Sequence, residues 1–396
     1  MSATSLPDPK SETWRFTPVE ALSGPRFEPL GAPASLAPLG GRVLCPVGFH
    51  RAALVNGRVE PKHAVLSLPA GVRVEPLADA SDLKDVLSRP APADLPLAAL
   101  ACEQARDGLV VRVGRHVRVD KPIHLIHLAE AASRAGSAHA RVLLALEPGA
   151  SAEVVEESLS AGDAPSWKNV RVQVVLAEDA SLKHYRVVRE GAQGRWTASV
   201  EVELAARARY ESHLFQLGGL FAREDLRVRL IGAGAECAVN GLTLLSGSEF
   251  ADAHSIVEHA AVGGITRQLH KAVLDQKSRF VFDGLIAVQP GAQKTDAQVY
   301  NRNLLLSEDA RVNTNPEFKI RADDVSCKHG GAVGQLSAES MFYLRSRGIG
   351  EADARRMLVY AFGSEMVERV GLEPLRAALT DALHGRMPEA AEEAAR

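Results

Sequence analysis

The sequence has no excess of basic residues and no long hydrophobic run. Among its 396 residues, 46 Lys and Arg stand against 49 Asp and Glu, a formal net charge of −3. This balance argues against a nucleic acid or an anionic membrane as partner. The apolar runs are short, and residues 1–10 lack the basic and then apolar pattern of a signal peptide. We therefore expect no membrane association and a cytoplasmic protein.

Cysteine is scarce, and its copies are far apart. Cys45, Cys102, Cys237 and Cys327 form no C-x-x-C pair and no other close cluster. A disulfide framework and a self-contained zinc site are therefore not expected. The first three are predicted to be small buried apolar residues. Cys327 differs because His329 follows it by two positions.

Three catalytic motifs are missing. The chain has no G-x-x-x-x-G-K-[ST] loop, no G-x-G-x-x-G at the start of a βαβ unit and no G-x-S-x-G elbow. The usual signals of an ATPase, a dinucleotide-dependent enzyme and an α/β-hydrolase are thus absent. We expect that the chain is not an enzyme and that any ATP dependence comes from a partner.

Short segments in which apolar and polar residues alternate fill the middle of the chain. Aromatic residues are only 5% of the sequence although 46% is hydrophobic, so small and branched aliphatic side chains must build the core, which suits narrow stacked strands. No long helical pattern interrupts this region, which argues against an alternating βαβ fold. Strands are predicted at 109–113, 117–119, 123–128, 170–176, 200–204 and 226–230.

Turns recur at regular intervals between these strands. Their spacings lie near multiples of about 14 to 15 residues, a length that fits one or two coils of a β-helix. An up-and-down barrel or a sandwich would give the same alternation of residues, so the pattern alone leaves these two folds as alternatives. The turns are at 148–150, 178–180, 206–208, 233–235, 276–278, 290–292, 308–310 and 323–325.

The two ends of the chain have a different character. Residues 1–107 are punctuated by Pro and Gly and are predicted to form a small mixed domain, with a strand at 71–75 and helices at 81–87 and 95–107. Residues 108–334 are the predicted strand core. Residues 335–396 are predicted to be helical, with helices at 340–344 and 351–370 separated at Gly348 and Gly350 and a frayed acidic tail at 388–396.

Two weaker candidate sites lie in the strand region. His254 and His259 are five residues apart, so on a strand they face opposite sides, and a shared metal site is not favoured. Asp252 and Glu258 could belong to the groove of a β-helix carbohydrate enzyme. No dense set of carboxylates accompanies them.

The strongest candidate site is Cys327 with His329. Two residues apart on a strand, their side chains point to the same face, within reach of one metal ion or sulfur atom. A thiolate and an imidazole suit iron or another borderline metal, and Lys328 or a protonated His329 is expected to lower the thiol pKa. A cluster normally takes four ligands, so the others must come from elsewhere. A buried cysteine beside a structural histidine remains the alternative.

Several stretches together resemble one known family. They are D-D-V-S-C-K-H-G at 323–330, G-Q-L at 334–336, F-Y-L-R-S-R-G-I at 342–349, N-P at 315–316 and E-T-W-R-F-T at 12–17. In these stretches the chain resembles the SufD family, and the likeness is strongest over residues 266–370. The resemblance implies a mainly β protein with a right-handed parallel β-helix core, a small mixed N-terminal domain and a helical C-terminal domain.

The resemblance also implies a function. Such a chain is a non-catalytic scaffold subunit of the SUF iron–sulfur cluster assembly complex, paired through its β-helix edge with the paralogue SufB. Its C-terminal helices bind the SufC ABC-type ATPase, and ATP-driven closure of two SufC subunits distorts the pair and exposes ligands at the interface. The residues expected at the ATPase contact are Phe342, Tyr343, Arg347, Gly348, Ile349 and Phe362.

Cys327 and His329 match the Cys-x-His pair of the family, near the contact with SufB. The resemblance implies a transient iron–sulfur cluster or iron at this interface, to which SufB adds a cysteine. It further implies a reduced flavin in the complex and no tightly bound cofactor in the isolated chain. Because a β-helix edge would be left unpaired, the isolated chain is expected to form a homodimer.

The chain departs from the family pattern at two places. Lys328 stands where the family often has Ser, and Gly331-Ala332 stands where it has Ala-Thr. These differences bear on the local charge and loop geometry. SufB is usually longer and can carry an N-terminal cysteine motif, whose absence here favours SufD. The alternatives are a SufB-type paralogue, a β-helix carbohydrate-active protein, and an edge-pairing homodimer without metal.

Overall fold

The computed structural model describes residues 6–32, 43–44, 48–131 and 133–386. Over these residues the chain is built mainly of strands, with helices near both ends. Cys45 and the predicted tail at 388–396 lie outside the described residues.

The strands are β1 (Glu28–Pro29), β2 (His50–Val55), β3 (Arg58–Val59), β4 (Val72–Pro76), β5 (Gly108–Val113), β6 (Ile123–Glu130), β7 (Gly136–Leu146), β8 (Ser151–Ala161), β9 (Ser166–Leu176), β10 (Ser181–Arg189), β11 (Gly194–Leu204), β12 (Arg209–Gln216), β13 (Phe221–Leu230), β14 (Glu236–Leu245), β15 (Phe250–His259), β16 (Ile265–Leu274), β17 (Arg279–Val288), β18 (Asp296–Leu305), β19 (Arg311–Ile320) and β20 (Ser326–Gly334). The α-helices are α1 (Glu20–Ser23), α2 (Lys84–Leu87), α3 (Pro96–Gln104), α4 (Ala338–Ser346), α5 (Glu351–Val367) and α6 (Glu373–Gly385).

From β5 onward, successive strands alternate between two ten-stranded sheets. From β7 onward, each strand pairs in parallel with the strand two places earlier, as Gly194 of β11 does with Ser166 of β9. The chain therefore coils, and the predicted parallel β-helix is confirmed, whereas a barrel or sandwich of antiparallel strands is excluded. One full coil takes about 30 residues. The predicted coil length of 14 to 15 residues was thus wrong: that spacing is one strand with its turn, which is half a coil.

Ladders of aliphatic side chains fill much of the interior. Val174, Val202, Val228, Val257 and Ile286 occupy one register position on five neighbouring strands, and all are buried. Because a branched side chain packs well on a pleated sheet, each coil stacks on the one before it. Burying each such side chain contributes roughly 1.5–3 kcal/mol relative to its exposure.

The two ends of the coil differ. At the N-terminal end β3 and β4 pair antiparallel with β2 and β5, so the strand pairing continues into the first 107 residues. At the other end β19 and β20 are the last strands of their sheets. Their outer edges have no strand partner among the described residues, so this end of the coil is open. The domain boundaries at 107/108 and 334/335 stay a prediction.

Local predictions for the N-terminal half hold in part. The strand predicted at 71–75 is β4, and the helix predicted at 95–107 is α3, which ends at Gln104. No strand forms at 117–119, where Arg118 makes only a single bridge to Ser151. Pro122 follows closely and lacks an amide donor, which limits pairing there.

The C-terminal helices α5 and α6 pack on the outer face of the sheet that contains β14 and β16. Leu375 and Leu379 of α6 join Val359 and Met366 of α5 in one buried cluster with Leu242 of that sheet. The predicted helices at 340–344 and 351–370 are α4 and α5. Helix α6 lies in the region 335–396 that was predicted to be helical, but its bounds were not predicted. Over the described residues, no helix is both long and apolar enough to cross a membrane.

The break between α4 and α5 has a defined geometry. Gly348 has φ +82°, its amide donates to Arg345 O at 3.0 Å, and the amide of Ile349 donates to Leu344 O at 3.3 Å. This is a Schellman C-cap, in which a left-handed glycine ends the helix. The predicted break at Gly348 and Gly350 is confirmed.

Close packing inside the coil gives a first prediction. The ring of His270 is buried between Phe280 and Phe282, and a Cβ on Gly241 would lie 2.2 Å from its atoms. We expect Gly241→Ala to lower the free energy of unfolding by about 1–3 kcal/mol, because the interior cannot expand freely. Urea unfolding measures this value. Gly291→Ala is the control, since no atom of the described residues lies within 4 Å of a Cβ added there, and equal losses in the two variants would contradict the expectation.

Candidate metal site at the open end of the β-helix

Cys327 and His329 lie on β20, the last strand of its sheet. Cys327 pairs with Ala297 of β18 and His329 pairs with Val299, and both partners point into the buried interior. Because register neighbours in parallel strands point the same way, Cys327 and His329 also point inward. The structure thus places both side chains on one face, at the open end of the coil.

The imidazole of His329 contacts the neighbouring edge strand, β19. Its Nδ1 lies 2.8 Å from Pro316 O, and its ring centroid lies 5.0 Å from that of Phe318. The residue remains exposed. These contacts bring β19 and β20 together across the open end of the coil.

The thiol of Cys327 is half-buried against the interior cluster. Burial raises its pKa, a hydrogen bond from the Ala297 backbone opposes this change, and the negative charge of Asp296 adds to it. The expected lowering of the thiol pKa by Lys328 or His329 was therefore wrong for the chain alone. At neutral pH the group is a thiol, and a metal ion must displace its proton in order to bind.

The pair is not part of a complete metal site within the described residues. No group of three or more His, Cys, Asp or Glu side chains that could hold a metal ion occurs in this part of the chain. A thiol and an imidazole on one face fit a metal or cluster as two of its ligands.

Within the described part of the chain, the outer edges of β19 and β20 present backbone groups that no neighbouring strand pairs. The amide of Ser326 donates a hydrogen bond to Thr295 O, on the side of β20 that faces β18. In a parallel ladder, the backbone groups of every second residue face the same neighbouring strand. Val333 is an odd number of positions from Ser326, so its amide and carbonyl face away from β18, toward the free edge. Its side chain is 50% exposed. Such an edge is a template for another strand.

The six residues predicted for ATPase binding fall on and after α4 and on α5. Phe342 and Tyr343 are 74% and 56% exposed, and Arg347 lies over the Tyr343 ring at 5.3 Å. Gly348 is exposed and forms the C-cap, whereas Ile349 is half-buried. Phe362 is also half-buried, with Lys271 Nζ 4.4 Å from its ring centre. An exposed aromatic pair on a helix is typical of an interaction surface.

The two weaker candidates do not form sites. His259 points inward, with Nε2 2.8 Å from Thr266 Oγ1, and burial lowers its pKa to about 4. His254 points outward and pairs with Asp252 at 3.0 Å. As predicted, the two imidazoles face opposite sides. His254 lines a cleft of about 710 Å³ on the outer face.

The carboxylates of the proposed carbohydrate groove are already paired. Asp252 is buried, and it accepts hydrogen bonds from Arg223 at 2.6 Å and from Thr17 at 2.5 Å. Glu258 pairs with Arg229 at 3.0 Å. Both carboxylates are thus engaged in ion pairs or hydrogen bonds within the chain.

The other cysteines differ in burial. Cys237 is buried, and burial raises its pKa to about 12, as suits a small apolar residue. Cys102 is only half-buried, and its Sγ lies 3.0 Å from the Arg171 guanidinium. The expectation of burial is therefore confirmed for Cys237 and wrong for Cys102.

Charged groups inside the coil were missed from the sequence. Arg186 makes two hydrogen bonds to Glu224 across the interior, and Glu156 accepts from both His127 and His184. The sequence did carry a signal for them in the segment 182–188. There His184 and Arg186 alternate in step with apolar residues, which places all of these side chains on the same face of the strand. Such residues are paired because an isolated buried charge is costly.

Comparison with known proteins identifies the family of the chain. Residues 127–362 match the family described as SUF system FeS cluster assembly, SufBD core domain. The chain is 34% identical to the iron–sulfur cluster assembly protein SufD of Escherichia coli, over 97% of this chain and 90% of that protein. It is 28% identical to an iron–sulfur cluster assembly SufBD family protein of Synechocystis, over 96% and 87% of the two chains. It is 29% identical to the chloroplastic protein ABCI7 of Arabidopsis thaliana, over 93% and 80%. With a parallel β-helix core and matches of this length, the chain belongs to the SufBD family of iron–sulfur cluster assembly proteins.

Proposed function

We propose that the chain is a non-catalytic, cytoplasmic scaffold subunit that supplies ligands at an interface where clusters are assembled. The observation that carries this proposal is the position of Cys327 and His329, a donor pair on the free-edge strand of an open coil. Two donors cannot complete a cluster that normally takes four ligands. A second subunit added at this edge would bring the others close.

The proposed partner at the edge is a SufB-type paralogue. A strand of this partner would extend the sheets beyond β19 and β20, because main-chain groups at a free edge pair with an incoming strand. The cargo is iron or a nascent iron–sulfur cluster bound between the subunits. The proposal includes a reduced flavin in the complete complex and no tightly bound cofactor in the isolated chain.

The proposed second partner is the SufC ATPase, which would bind the C-terminal helices. The exposed rings of Phe342 and Tyr343 support this surface. In the proposal, ATP-driven closure of two ATPase subunits moves these helices and, through them, the paired edges. Co-purification of the tagged chain from its own cells tests both partners. We expect an ABC-type ATPase and a longer β-helix paralogue, and loss of the ATPase alone from a Phe342→Asp and Tyr343→Asp double variant.

The role of the donor pair is tested by substitution. We expect Cys327→Ala with His329→Ala to reduce cluster assembly by the complete complex at least about tenfold, since ligand loss weakens a metal site by such factors. The measurement is iron and sulfide bound per complex after reconstitution. Lys328→Ala is the matched control, because Lys328 lies on the same strand and faces the other way. Unchanged assembly in the double variant would contradict the proposal.

The free edge predicts a homodimer of the isolated chain. We expect Val333→Pro to make it monomeric in gel filtration, because proline removes an outward amide without a loss of pairing to β18. Val333→Ala keeps the amide and is expected to remain dimeric. A monomeric wild-type chain would remove the basis for the prediction.

A further inference from the structure

We propose that Pro316 and Phe318 position His329 so that its Nε2, rather than its Nδ1, binds the metal cargo. The inference rests on the proposed function of His329 as a ligand. It adds two positioning residues and the identity of the ligating atom. The starting observation is the contact between His329 Nδ1 and Pro316 O at 2.8 Å.

The Pro316 carbonyl is available to His329 because alternate residues of β19 direct their backbone groups to opposite sides of the strand. The amides of Arg311 and Arg321, at the start and just after the end of β19, donate to Ser278 O and Val288 O on the β17 side. Pro316 is an odd number of positions from both arginines. Because the backbone groups of alternate residues face opposite sides of a parallel strand, those of Pro316 face the free edge. Proline is tolerated there because it has no amide to lose from the ladder. Among the residues that the structure describes, its carbonyl therefore has no strand partner, and it accepts a hydrogen bond from His329.

This contact fixes the tautomer of the neutral imidazole. A backbone carbonyl can only accept a hydrogen bond, so Nδ1 must carry the proton that it donates. A neutral imidazole has one N–H, which leaves Nε2 with its lone pair free. Among the described residues, Nε2 has no hydrogen-bond partner. Metal-binding histidines commonly donate a hydrogen bond from the N–H of their other ring nitrogen to a carbonyl in this way.

Phe318 restricts the orientation of the ring. It has the same parity as Pro316, and its ring meets that of His329 at a centroid distance of 5.0 Å and an interplanar angle of 50°. Contacts on one side and a hydrogen bond at Nδ1 leave the imidazole little freedom to rotate. Nε2 is thereby held on the inward face of β20 that also carries Cys327.

The tautomer can be measured without any metal. A free imidazole in water favours a proton on Nε2, so the expected state is distinguishable from the default. We would label the full chain with ¹⁵N-histidine, record nitrogen–proton correlations at pH 8, and assign His329 by its absence in His329→Gln. We expect Nδ1 protonated and Nε2 unprotonated. A predominant Nε2–H form of His329 would overturn the inference.

Substitutions separate the two positioning residues from the rest of the strand. Phe318→Leu is expected to shift His329 measurably toward the Nε2–H form and to reduce the iron bound by the reconstituted complex about tenfold. Lys319→Ala is the control, since Lys319 is exposed and has the opposite parity. An unchanged tautomer in Phe318→Leu would remove Phe318 from the proposal.

Two further variants test which nitrogen binds. Glutamine at 329 places its terminal amide near the position of Nε2, and asparagine places it near Nδ1. We therefore expect His329→Gln to retain several times more iron than His329→Asn. The opposite order would overturn the assignment of the ligating atom.

The inference and the proposed function can fail separately. If His329→Ala leaves assembly unchanged while the Nδ1–H tautomer is observed, the ligand role fails and the local geometry stands. If His329→Ala abolishes assembly and the Nε2–H tautomer is observed, the ligand role stands and the positioning by Pro316 fails.

Discussion

Replacing Arg186 by methionine is expected to lower the free energy of unfolding by about 3–5 kcal/mol, because it leaves a carboxylate inside the coil without its charge partner. Arg186 Nε lies 2.6 Å from one oxygen of Glu224, and a terminal nitrogen lies 2.9 Å from the other. The two side chains are only 2% and 5% exposed. Burial alone would lower the Arg186 pKa, but the charge of Glu224 outweighs it and raises that pKa.

Urea unfolding of single and double variants measures the coupling. Arg186→Met combined with Glu224→Leu is expected to recover a large part of the loss, since no unpaired charge remains in the interior. Arg209→Met on the neighbouring strand β12 is the control, because its pair with Glu236 is exposed and is worth at most about 1 kcal/mol. If Arg186→Met costs no more than Arg209→Met, the interior pair does not stabilise the fold.

The free energy of unfolding is expected to fall by several kcal/mol between pH 7.5 and pH 5. Burial lowers the pKa of His139 and His259 to about 4 and that of His270 to about 3. In the unfolded chain these groups take up protons near pH 6.5, whereas in the folded chain they stay neutral until much lower pH. Protons therefore favour unfolding below pH 6.5, by roughly 2 kcal/mol per group at pH 5.

One buried carboxylate, that of Glu156, extends the loss of stability to lower pH. Burial alone would raise the pKa of Glu156, but hydrogen bonds from His127 and His184 outweigh it and hold that pKa below its usual value. A carboxylate of this kind adds stability above its unfolded pKa, and the contribution is lost as the pH falls toward the folded value. The histidine loss therefore comes first, and the carboxylate loss follows it below about pH 4.5.

Denaturant titrations at a series of pH values test the expectation. His259→Gln removes one buried titrating group, so the slope of stability against pH between 5 and 6.5 is expected to be smaller in this variant. His384→Gln is the control, since His384 is exposed at the end of α6. A stability that does not change over this pH range would contradict the assignment of neutral buried histidines.

Much of the fold could be predicted from residue order because the coil is built from local repeats. Alternation at 170–176 and 200–204 indicated strands, and β9 and β11 contain them. Gly348 marked the break between α4 and α5 because a left-handed position favours glycine. The bounds of α6 were not predicted within the helical region, although its apolar face is buried against α5. The spacing of the turns indicated the length of one strand with its turn, which is half a coil, but it did not indicate how many strands form a coil.

The candidate site was predictable only as a pair of residues. The spacing of Cys327 and His329 places them on one face of any strand. It could not show that this strand is the last of its sheet, or that the partner of His329 is the Pro316 carbonyl on β19. The thiol pKa was predicted in the wrong direction, because the effect of burial depends on packing around Cys327 rather than on its sequence neighbours.

By itself, the sequence determined that the chain forms stacked strands with a helical C-terminal region, because alternation and helical spacing act over a few residues. Only the tertiary structure decided which strands are neighbours, that Arg186 meets Glu224 across the interior, and that the Cys327–His329 strand is left at an open edge. These features join residues that are distant in the chain or depend on where the coiling ends. Such relations are set by the packing of coils on one another, and no local pattern of residues records them.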